Sequence, residues 1–254
     1  MLRLWQVFCL LAFAGAGAAN AGTASVVLHF VRHGESEANK QGILQGQCDY
    51  PLTPEGRAQA QAVGKALAQG GTKYTRVYTS DLTRARDTCE ILGREFPAGA
   101  LPSMRRTHLL RECRFGVREA QKTSYTKEEC ASIIAARLQI PVESVVDSAE
   151  SKEELDQRQA LLVHQIFDEL DQGGGEGETP INVLCVTHSA FIRGYLSSRF
   201  GITLKSIHNG SVTKVLVRRS ADGTLSHAAP QQDDINQHDY MHSQSGQEKN
   251  HVSP

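Results

Sequence analysis

Short β-rich apolar segments alternate with amphipathic stretches along most of this 254-residue chain. Ser25 to Val31 is almost wholly apolar, which is typical of a strand buried in a parallel sheet. Thr53-Pro54-Glu55 combines an N-cap, a proline at the first helical position and a first-turn carboxylate, so a helix is predicted from there to Gly70-Gly71. Further predicted strands are 76–80, 104–110, 181–187, 212–217 and 224–228, and further predicted helices are 81–95, 151–170 and 190–199. The alternation predicts an α/β fold, a three-layer sandwich with a mostly parallel central sheet.

The charge of the chain is balanced, with 27 lysines and arginines against 28 aspartates and glutamates. Binding nucleic acid over a broad surface needs a clear excess of positive charge, so we expect no nucleic-acid partner. A local basic pocket for a small anion stays compatible with this balance. Hydrophobic residues make up 40% of the chain and charged residues 22%, which excludes collagen-like, coiled-coil and wholly disordered classes.

The first 22 residues are typical of a secretory targeting segment. Arg3 provides a short positive region, Leu4 to Ala19 is apolar apart from Gln6, and Ala19-Asn20-Ala21 has the small-x-small pattern of a signal-peptidase site. The apolar run is too short and too rich in Gly and Ala to suit a membrane span. The sequence therefore predicts a signal peptide at 1–21, no membrane association after its cleavage, and a secretory-pathway or extracellular location. An uncleaved anchor and a mitochondrial segment stay open as alternatives.

The chain beyond Ala228 is polar and has almost no apolar pattern. Such a segment cannot bury enough apolar surface to fold by itself. We therefore predict one folded domain over residues 22–228, followed by a disordered polar tail over 229–254.

Two features of the predicted mature chain bear on processing in a secretory compartment. Five cysteines remain after cleavage, and because five is odd, at least one thiol is free or pairs with another chain. Asn209-Gly210-Ser211 is a glycosylation sequon, whose occupancy stays open. The cysteines are Cys48, Cys89, Cys113, Cys130 and Cys185, and no pair of them has the spacing of metal ligands.

Charged and polar groups stand close after four of the predicted strands, at the edge where ligands bind in open α/β sheets. They are Arg32-His33-Gly34 after the first strand, Arg84 in the helix after 76–80, Glu112 after 104–110, and His188 at the start of the helix after 181–187. An arginine fork fits phosphate geometry, a helix N-terminus offers free N–H groups, and a carboxyl group near cations suits a general acid. Taken alone, Arg32-His33-Gly34 also fits an ordinary polar loop, and Arg84 fits a solvated surface arginine. Glu112 alone also fits a surface ion pair, and His188 alone fits a helix cap. Together they predict an anion site at the strand ends.

These segments resemble the histidine phosphatase, or phosphoglycerate mutase-like, superfamily. The matches occur in the family's order from about Val26 to Val217. They are Arg32 to Asn39 (RHGESEAN), Gly46 to Gly56 (GQCDYPLTPEG), Ser80 to Ala85 (SDLTRA) with Thr88, Leu110 to Glu112 (LRE) with Phe115-Gly116, Glu150-Ser151, Thr187-His188, and Asn209 to Thr213 (NGSVT). The resemblance implies a phosphoglycerate mutase-like fold and chemistry on a phosphate ester that needs neither a metal nor a cofactor.

The resemblance also implies a role for each matching residue. His33 would be the nucleophile that becomes phosphohistidine, and Glu112 would be the proton donor. His188 would be the third catalytic group and would hold phosphoryl oxygens together with Arg32 and Arg84. The remaining assignments are Asn39, which would assist in binding phosphate, and Ser36, which would help to bind substrate.

The leading hypothesis is a phosphomonoesterase that acts on a small phosphorylated substrate, with a phosphoprotein as the alternative substrate. A phosphoglycerate mutase-type phosphotransferase and a non-catalytic phospho-ligand binding module are the competing interpretations. A mutase needs basic residues for its substrate's carboxylate in the region from Cys113 to Ala136. There Arg114, Arg118, Lys122 and Lys127 lack the pattern expected of a mutase.

Overall fold

The computed structural model describes residues 24–172 and 179–238. The predicted signal peptide at 1–21 and the end of the predicted tail, 239–254, lie outside the described residues. Within the two described ranges, every helix is too short or too polar to cross a membrane.

Eight strands and six α-helices make up the regular structure of the described chain. The strands are β1 (Ala24–Arg32), β2 (Ile43–Leu44), β3 (Tyr74–Ser80), β4 (Met104–Thr107), β5 (Gln121–Lys122), β6 (Ile181–Thr187), β7 (Val212–Arg219) and β8 (Leu225–Ala228). The helices are α1 (Glu37–Lys40), α2 (Pro54–Gln69), α3 (Thr83–Gly93), α4 (Lys127–Leu138), α5 (Lys152–Asp171) and α6 (Ser189–Phe200).

The central sheet has six strands in the order β4-β3-β6-β1-β7-β8. The first four strands run parallel to one another, whereas β7 pairs antiparallel with β1, and β8 pairs antiparallel with β7 at the outer side. The strands β2 and β5 form a separate two-stranded sheet. The α/β class and the mostly parallel sheet predicted from the alternation of elements are therefore confirmed.

Two apolar cores cover the two faces of this sheet. One contains Leu162 and Phe167 of α5 together with Phe191 of α6, and the other contains Val63 of α2 and Leu92 of α3. Helices thus flank the sheet on both sides, which gives the predicted three-layer sandwich. The arrangement brings the carboxyl ends of β1, β3 and β6 together at one edge.

One predicted strand ends earlier than the sequence suggested. The strand predicted over 104–110 stops at Thr107, and His108–Leu110 forms a single turn of 3₁₀ helix. The hydroxyl of Thr107 accepts a hydrogen bond from the backbone N–H of Leu109 at 3.2 Å, as an N-cap does. At this turn the chain leaves the sheet, and two residues later it reaches Glu112.

The predicted disordered tail differs from the structure over 229–238. Gln237 and Val212 exchange two backbone hydrogen bonds of 2.9 Å, and the side-chain oxygen of Asn236 accepts a bond of 2.8 Å from the N–H of His208. The rings of His208 and His238 stack with centroids 4.1 Å apart. Backbone pairing and caps hold this polar segment in place, and a periodicity-based prediction does not detect such contacts.

We expect a chain that ends at Ala228 to be less stable than one that ends at His238. The shorter chain loses the hydrogen bonds of Asn236 and Gln237, at about 1 kcal/mol each, for a total of roughly 2 to 4 kcal/mol. Urea unfolding of the two truncated chains beside the full chain measures this difference. Equal free energies of unfolding for the two truncated chains would contradict the observed packing.

His29 is a buried histidine in β1 that lies away from the strand ends. Its Nε2 atom lies 3.0 Å from Oδ1 of Asn182 and its Nδ1 atom 3.2 Å from the hydroxyl of Tyr74, so a neutral ring donates to the amide and accepts from the phenol. Burial lowers the pKa of His29 to about 4, a shift that the Asn182 hydrogen bond partly opposes. The ring therefore has a structural role.

We expect the free energy of unfolding to fall as the pH drops from 6.5 towards 4, because the unfolded chain binds a proton on His29 that the folded chain excludes. The lowered pKa of His29 reduces the free energy of unfolding by roughly 3 kcal/mol at the acidic end of this pH range. Urea unfolding at neutral pH and at about pH 4.5 should show a smaller loss for His29→Gln than for the wild type. An identical loss in both proteins would show that His29 is not responsible.

Candidate active site

His33 and His188 lie side by side at the ends of two neighbouring parallel strands. Arg32 of β1 pairs with Thr187 of β6, and the N–H of His33 donates to the carbonyl of Thr187 at 3.0 Å. Each histidine follows its strand directly, so the strand register places the two rings with centroids 5.1 Å apart. The side chains are buried, with 2% and 0% of their surface exposed.

The ring of His33 is held in one tautomer. Its Nδ1 atom lies 2.7 Å from the carbonyl oxygen of Gly34, which can only accept, so Nδ1 carries the proton and Nε2 keeps its lone pair. Burial lowers the pKa of His33 well below its usual value, and the charges of Arg84 and Arg32 lower it further. The imidazole is therefore neutral and nucleophilic at Nε2 at physiological pH.

Gly34 lets the loop after His33 pack directly against the start of α2. A Cβ atom at this position would lie 2.1 Å from the carbonyl oxygen of Gly56, which leaves no room for any side chain. The N–H of Gly34 also donates to the hydroxyl of Thr88 at 3.0 Å. These two contacts fix the peptide that orients His33.

Two arginines, the fully buried Arg84 and the half-buried Arg32, stand near the histidine pair. Arg84 donates to the carbonyls of Cys48 and Gly46 at 2.8 and 2.7 Å, and Arg32 donates to the carbonyl of Ile207. Burial lowers the pKa of Arg32 to about 10, and it also lowers the pKa of Arg84, while Glu112 opposes both shifts. Both guanidinium groups stay charged at neutral pH and are held rigidly by main-chain oxygens.

Four buried nitrogen atoms around this centre lack a hydrogen-bond partner in the described structure. They are Nε of Arg32, Nε of Arg84, and both ring nitrogens of His188. Burial lowers the pKa of His188 well below its usual value, with Arg84, His33 and Arg32 adding to the shift. Buried polar groups are rarely left unpaired, and here the unpaired nitrogens of three residues lie around one centre. The two cations, together with the unpaired N–H groups of both arginines and the single N–H of a neutral His188, therefore form a site for an anion.

Glu112 closes the site at the start of α6. Its Oε1 accepts from the N–H groups of Cys113 and Phe191 at 2.9 and 3.0 Å, and its Oε2 accepts from the N–H of Ala190 at 3.1 Å. The side chain thus occupies the helix N-terminus directly after His188, where the free N–H groups of the first turn bind its oxygens. The structure brings the predicted proton donor to the strand ends that hold the two histidines.

Ser36 and Asn39 form a capping box at the short helix α1. The hydroxyl oxygen of Ser36 lies 2.8 Å from Oε1 of Gln45 and 3.0 Å from Oδ1 of Asn39, so its single proton is shared between these two acceptors, and it accepts from the N–H of Asn39. Ser36 is fully buried by these contacts, which are structural. A role for Ser36 in binding substrate and a role for Asn39 in binding phosphate stay predictions.

The amide of Asn209, part of the glycosylation sequon, is engaged with the site. Its Nδ2 donates to the carbonyl of His33 at 2.9 Å and to Oδ1 of Asn39 at 3.3 Å. A glycan is joined through this same nitrogen and replaces one of its two hydrogens, so attachment would disrupt the contacts that Asn209 makes with His33 and Asn39. The observed packing thus argues against glycosylation of the folded chain at this position.

The cysteines of the described chain are all free thiols, namely Cys48, Cys89, Cys113, Cys130 and Cys185. Burial raises the pKa of Cys89 to about 12, and the pKa of Cys185 is likewise raised by burial. These two thiols are therefore protonated and unreactive. Within residues 24–172 and 179–238, no group of three or more His, Cys, Asp and Glu side chains is placed to hold a metal ion.

Three supporting contacts were not predicted from the sequence. Thr88 and Asn209 belong to segments that matched the family, but nothing in the residue types indicated that they hold the main chain at His33 and Gly34. Arg158 gave no signal at all, because an arginine on a predicted amphipathic helix is expected to be solvated. In the structure it is nearly buried against the loop that carries Glu112.

Comparison with known proteins places the whole folded region in one family. Residues 28–227 match the family model described as histidine phosphatase superfamily (branch 1). The fructose-2,6-bisphosphatase TIGAR B of Danio rerio is 32% identical over 190 residues, which cover 65% of this chain and 71% of that protein. A 2,3-bisphosphoglycerate-dependent phosphoglycerate mutase of Rhizobium etli is 39% identical over 82 residues, which cover 32% of this chain and 39% of that protein.

Solved structures share the same architecture. A phosphoglycerate mutase from Bacillus anthracis superposes with a TM-score of 0.63 at 23% identity, covering 82% of this chain and 93% of that chain. A mycobacterial glucosyl-3-phosphoglycerate phosphatase in complex with VO3 superposes with a TM-score of 0.59 at 23% identity, covering 80% of this chain and 97% of that chain. The predicted phosphoglycerate mutase-like fold is therefore confirmed.

Proposed function

The chain belongs to the histidine phosphatase superfamily, and we propose that it is a phosphomonoesterase that works through a phosphohistidine on His33. The observation that carries this proposal is the set of unpaired buried nitrogens of Arg32, Arg84 and His188 around a neutral histidine with a free Nε2. A tetrahedral phosphoryl group supplies several acceptor oxygens at once, and its negative charge suits fixed guanidinium groups.

The first chemical step follows from these positions. Nε2 of His33 attacks phosphorus, the ester P–O bond breaks, and the departing oxygen takes a proton from Glu112. The arginines and His188 stabilise the charge on the equatorial oxygens in the transition state, where preorganised donors have their largest effect. One difficult displacement is thereby divided into two easier ones.

The second step restores the enzyme. Glu112, now ionised, accepts a proton from a water molecule whose oxygen attacks phosphorus. The P–N bond breaks, the electron pair returns to Nε2 of His33, and inorganic phosphate leaves. No step in this sequence requires a metal or an organic cofactor.

The surroundings of the basic residues support hydrolysis over phosphoglycerate mutase activity. Nζ of Lys122 donates to the carbonyl of Gln41 at 2.7 Å, and Nζ of Lys127 lies 2.6 Å from Oδ2 of Asp147. Nη2 of Arg114 lies 3.4 Å from Oε2 of Glu154 on the surface. Three of the four basic residues that a mutase would need for a substrate carboxylate therefore already have partners outside the site.

The proposal is tested by measuring phosphate release from a panel of esters with the chain from Gly22 to Pro254. The panel contains p-nitrophenyl phosphate, fructose bisphosphates, 3-phosphoglycerate and a phosphopeptide. Release of phosphate from at least one ester, with the small esters preferred over the phosphopeptide, is expected. Isomerisation of 3-phosphoglycerate without phosphate release would establish a mutase instead. Absence of both activities, with retained phosphate binding, would identify a binding module.

We further propose that this phosphatase acts on small phosphorylated substrates in the secretory pathway or outside the cell. The support for the location is the sequence of residues 1–21 alone. N-terminal sequencing of the protein from its native source should begin at Gly22. A sequence that begins at Met1 would overturn the proposed location and leave the catalytic proposal intact.

A further inference from the structure

A buried ion pair lies behind the loop that carries Glu112, and the mechanism described above does not use it. Nε of Arg158 in α5 donates to Oε1 of Glu150 at 2.9 Å, and Nη2 donates to Oε2 at 2.8 Å. The side chain of Arg158 is 12% exposed and that of Glu150 is 2% exposed. Burying such a pair removes the hydration of both charges, so its presence is weak evidence for a contribution to stability.

The remaining hydrogen bonds of this pair are made to the Glu112 loop. Nη1 of Arg158 donates to the carbonyl of Leu109 at 2.9 Å and to the carbonyl of Arg111 at 2.7 Å. The N–H of Glu150 donates to the carbonyl of Arg114 at 2.8 Å. The carbonyl of Arg111 belongs to the peptide that leads into Glu112, so the pair holds the loop before and after the proton donor.

The same guanidinium also contacts the helix that binds the carboxylate. The Cζ atom of Arg158 lies 5.6 Å from the ring centroid of Phe191, within the range of a cation–π contact. The N–H of Phe191 donates to Oε1 of Glu112 at 3.0 Å. Arg158 therefore contacts both elements that determine where the carboxyl group lies, the loop and the first turn of α6.

We infer that Arg158, paired with Glu150, is a positioning residue that holds Glu112 against the leaving group, an inference that rests on the phosphatase function proposed above. A proton donor acts only within hydrogen-bond reach of the departing oxygen, and a misplacement of about 1 Å lowers a rate by up to about a hundredfold. A lysine cannot replace this arginine, because its compact ammonium group cannot form the planar fork that joins one carboxylate to two carbonyls.

The test compares Arg158→Lys with the wild type on two esters of different leaving-group strength, p-nitrophenyl phosphate and phenyl phosphate. Since kcat/KM covers the reaction up to cleavage of the P–O bond, it reports proton donation to the leaving group. We expect kcat/KM for phenyl phosphate to fall about tenfold or more, and kcat/KM for p-nitrophenyl phosphate to fall no more than about threefold. The double variant Arg158→Lys/Glu112→Gln should be no slower on phenyl phosphate than Glu112→Gln alone, because both changes remove the same function.

A matched control is available in Arg199, which is also paired with a carboxylate of α5. Arg199 donates to Asp156 and is 11% exposed, but it lies over the ring of Tyr195 at 4.4 Å and makes no contact with the Glu112 loop among the described residues. Arg199→Lys should lower the melting temperature without changing the ratio of kcat/KM between the two esters. A change in that ratio for Arg199→Lys would show that the ratio reports general loosening and would overturn the inference.

Three further outcomes separate failure of the inference from failure of the proposed function. One outcome is that the wild type hydrolyses both esters and Arg158→Lys lowers kcat/KM equally for the two, or leaves both values unchanged. The positioning role is then wrong, while the phosphatase proposal stands. If Arg158→Lys does not fold, Glu150→Gln keeps the size of the partner side chain and should produce the same selective loss on phenyl phosphate. If the wild type hydrolyses neither ester nor any member of the wider panel, the phosphatase proposal itself fails.

Discussion

His33→Ala is expected to reduce the hydrolysis of every phosphate ester below about 1% of the wild-type rate. The reason is that the 2.7 Å contact between Nδ1 and the carbonyl of Gly34 fixes the tautomer of His33 and leaves its Nε2 to attack, next to the anion-binding donors. Without it, water must attack the ester directly in a single displacement. The rate is measured as phosphate release at saturating substrate.

The control for this variant is His164→Ala, which removes an exposed histidine from α5. That change should leave turnover and the melting temperature close to the wild type. His33→Ala should keep its affinity for inorganic phosphate within an order of magnitude, because Arg32, Arg84 and His188 remain. Residual turnover well above about 1% would refute the nucleophile assignment.

Glu112→Gln is expected to slow esters with poor leaving groups about a hundredfold or more, and to slow p-nitrophenyl phosphate less than about tenfold. A poor leaving group needs a proton as its bond to phosphorus breaks, whereas p-nitrophenolate leaves without one. Glutamine keeps the size of the side chain, but its amide is not acidic and cannot protonate the leaving group. The measurement is kcat/KM for phenyl phosphate and for p-nitrophenyl phosphate with the same enzyme sample.

Equal losses on the two esters would count against the proton-donor role. Such a result would point to a structural role at the start of α6, since the carboxylate also accepts from the N–H groups of Ala190 and Phe191. A melting temperature measured in parallel separates the two explanations. The selective loss should persist in a variant that remains folded.

The main elements of the fold could be predicted because their signals are local. The cap at Thr53 and the proline that follows place the start of α2 at Pro54, as observed. The apolar runs that became β1 and β6 are buried on both faces, and such runs identify central parallel strands directly. Because the carboxyl ends of parallel strands lie at one edge of a sheet, the sequence also predicted Arg32, His33 and His188 at that edge.

Two predictions on the fold failed because tertiary contacts decided the outcome. The residues of 108–110 are compatible with a strand, but β4 is an edge strand whose partner β3 ends at Ser80, opposite Thr107. The residues of 229–238 are polar, yet they pair with Val212 and cap His208. Neither partner can be identified from the residue types of the segment itself.

The sequence predicted the candidate reacting groups of the site but not the residues that support them. Arg32, Arg84 and His188 each follow a predicted strand, and the recurrence of such groups at several strand ends gave the signal. Arg158 was not predicted because its function depends on two main-chain carbonyls of a loop distant in sequence. Carbonyl groups are present in every residue, so a contact with them leaves no pattern in the sequence.

The most direct test of the proposed mechanism is to trap the phosphorylated enzyme. The chain from Gly22 to Pro254 is mixed with a ³²P-labelled ester, quenched with alkali during turnover, digested, and its labelled peptide is sequenced. The mechanism predicts label that is stable to alkali and labile to acid, located on His33 and missing from His33→Ala. Hydrolysis without any trapped label, or label that persists in His33→Ala, would contradict the phosphohistidine mechanism.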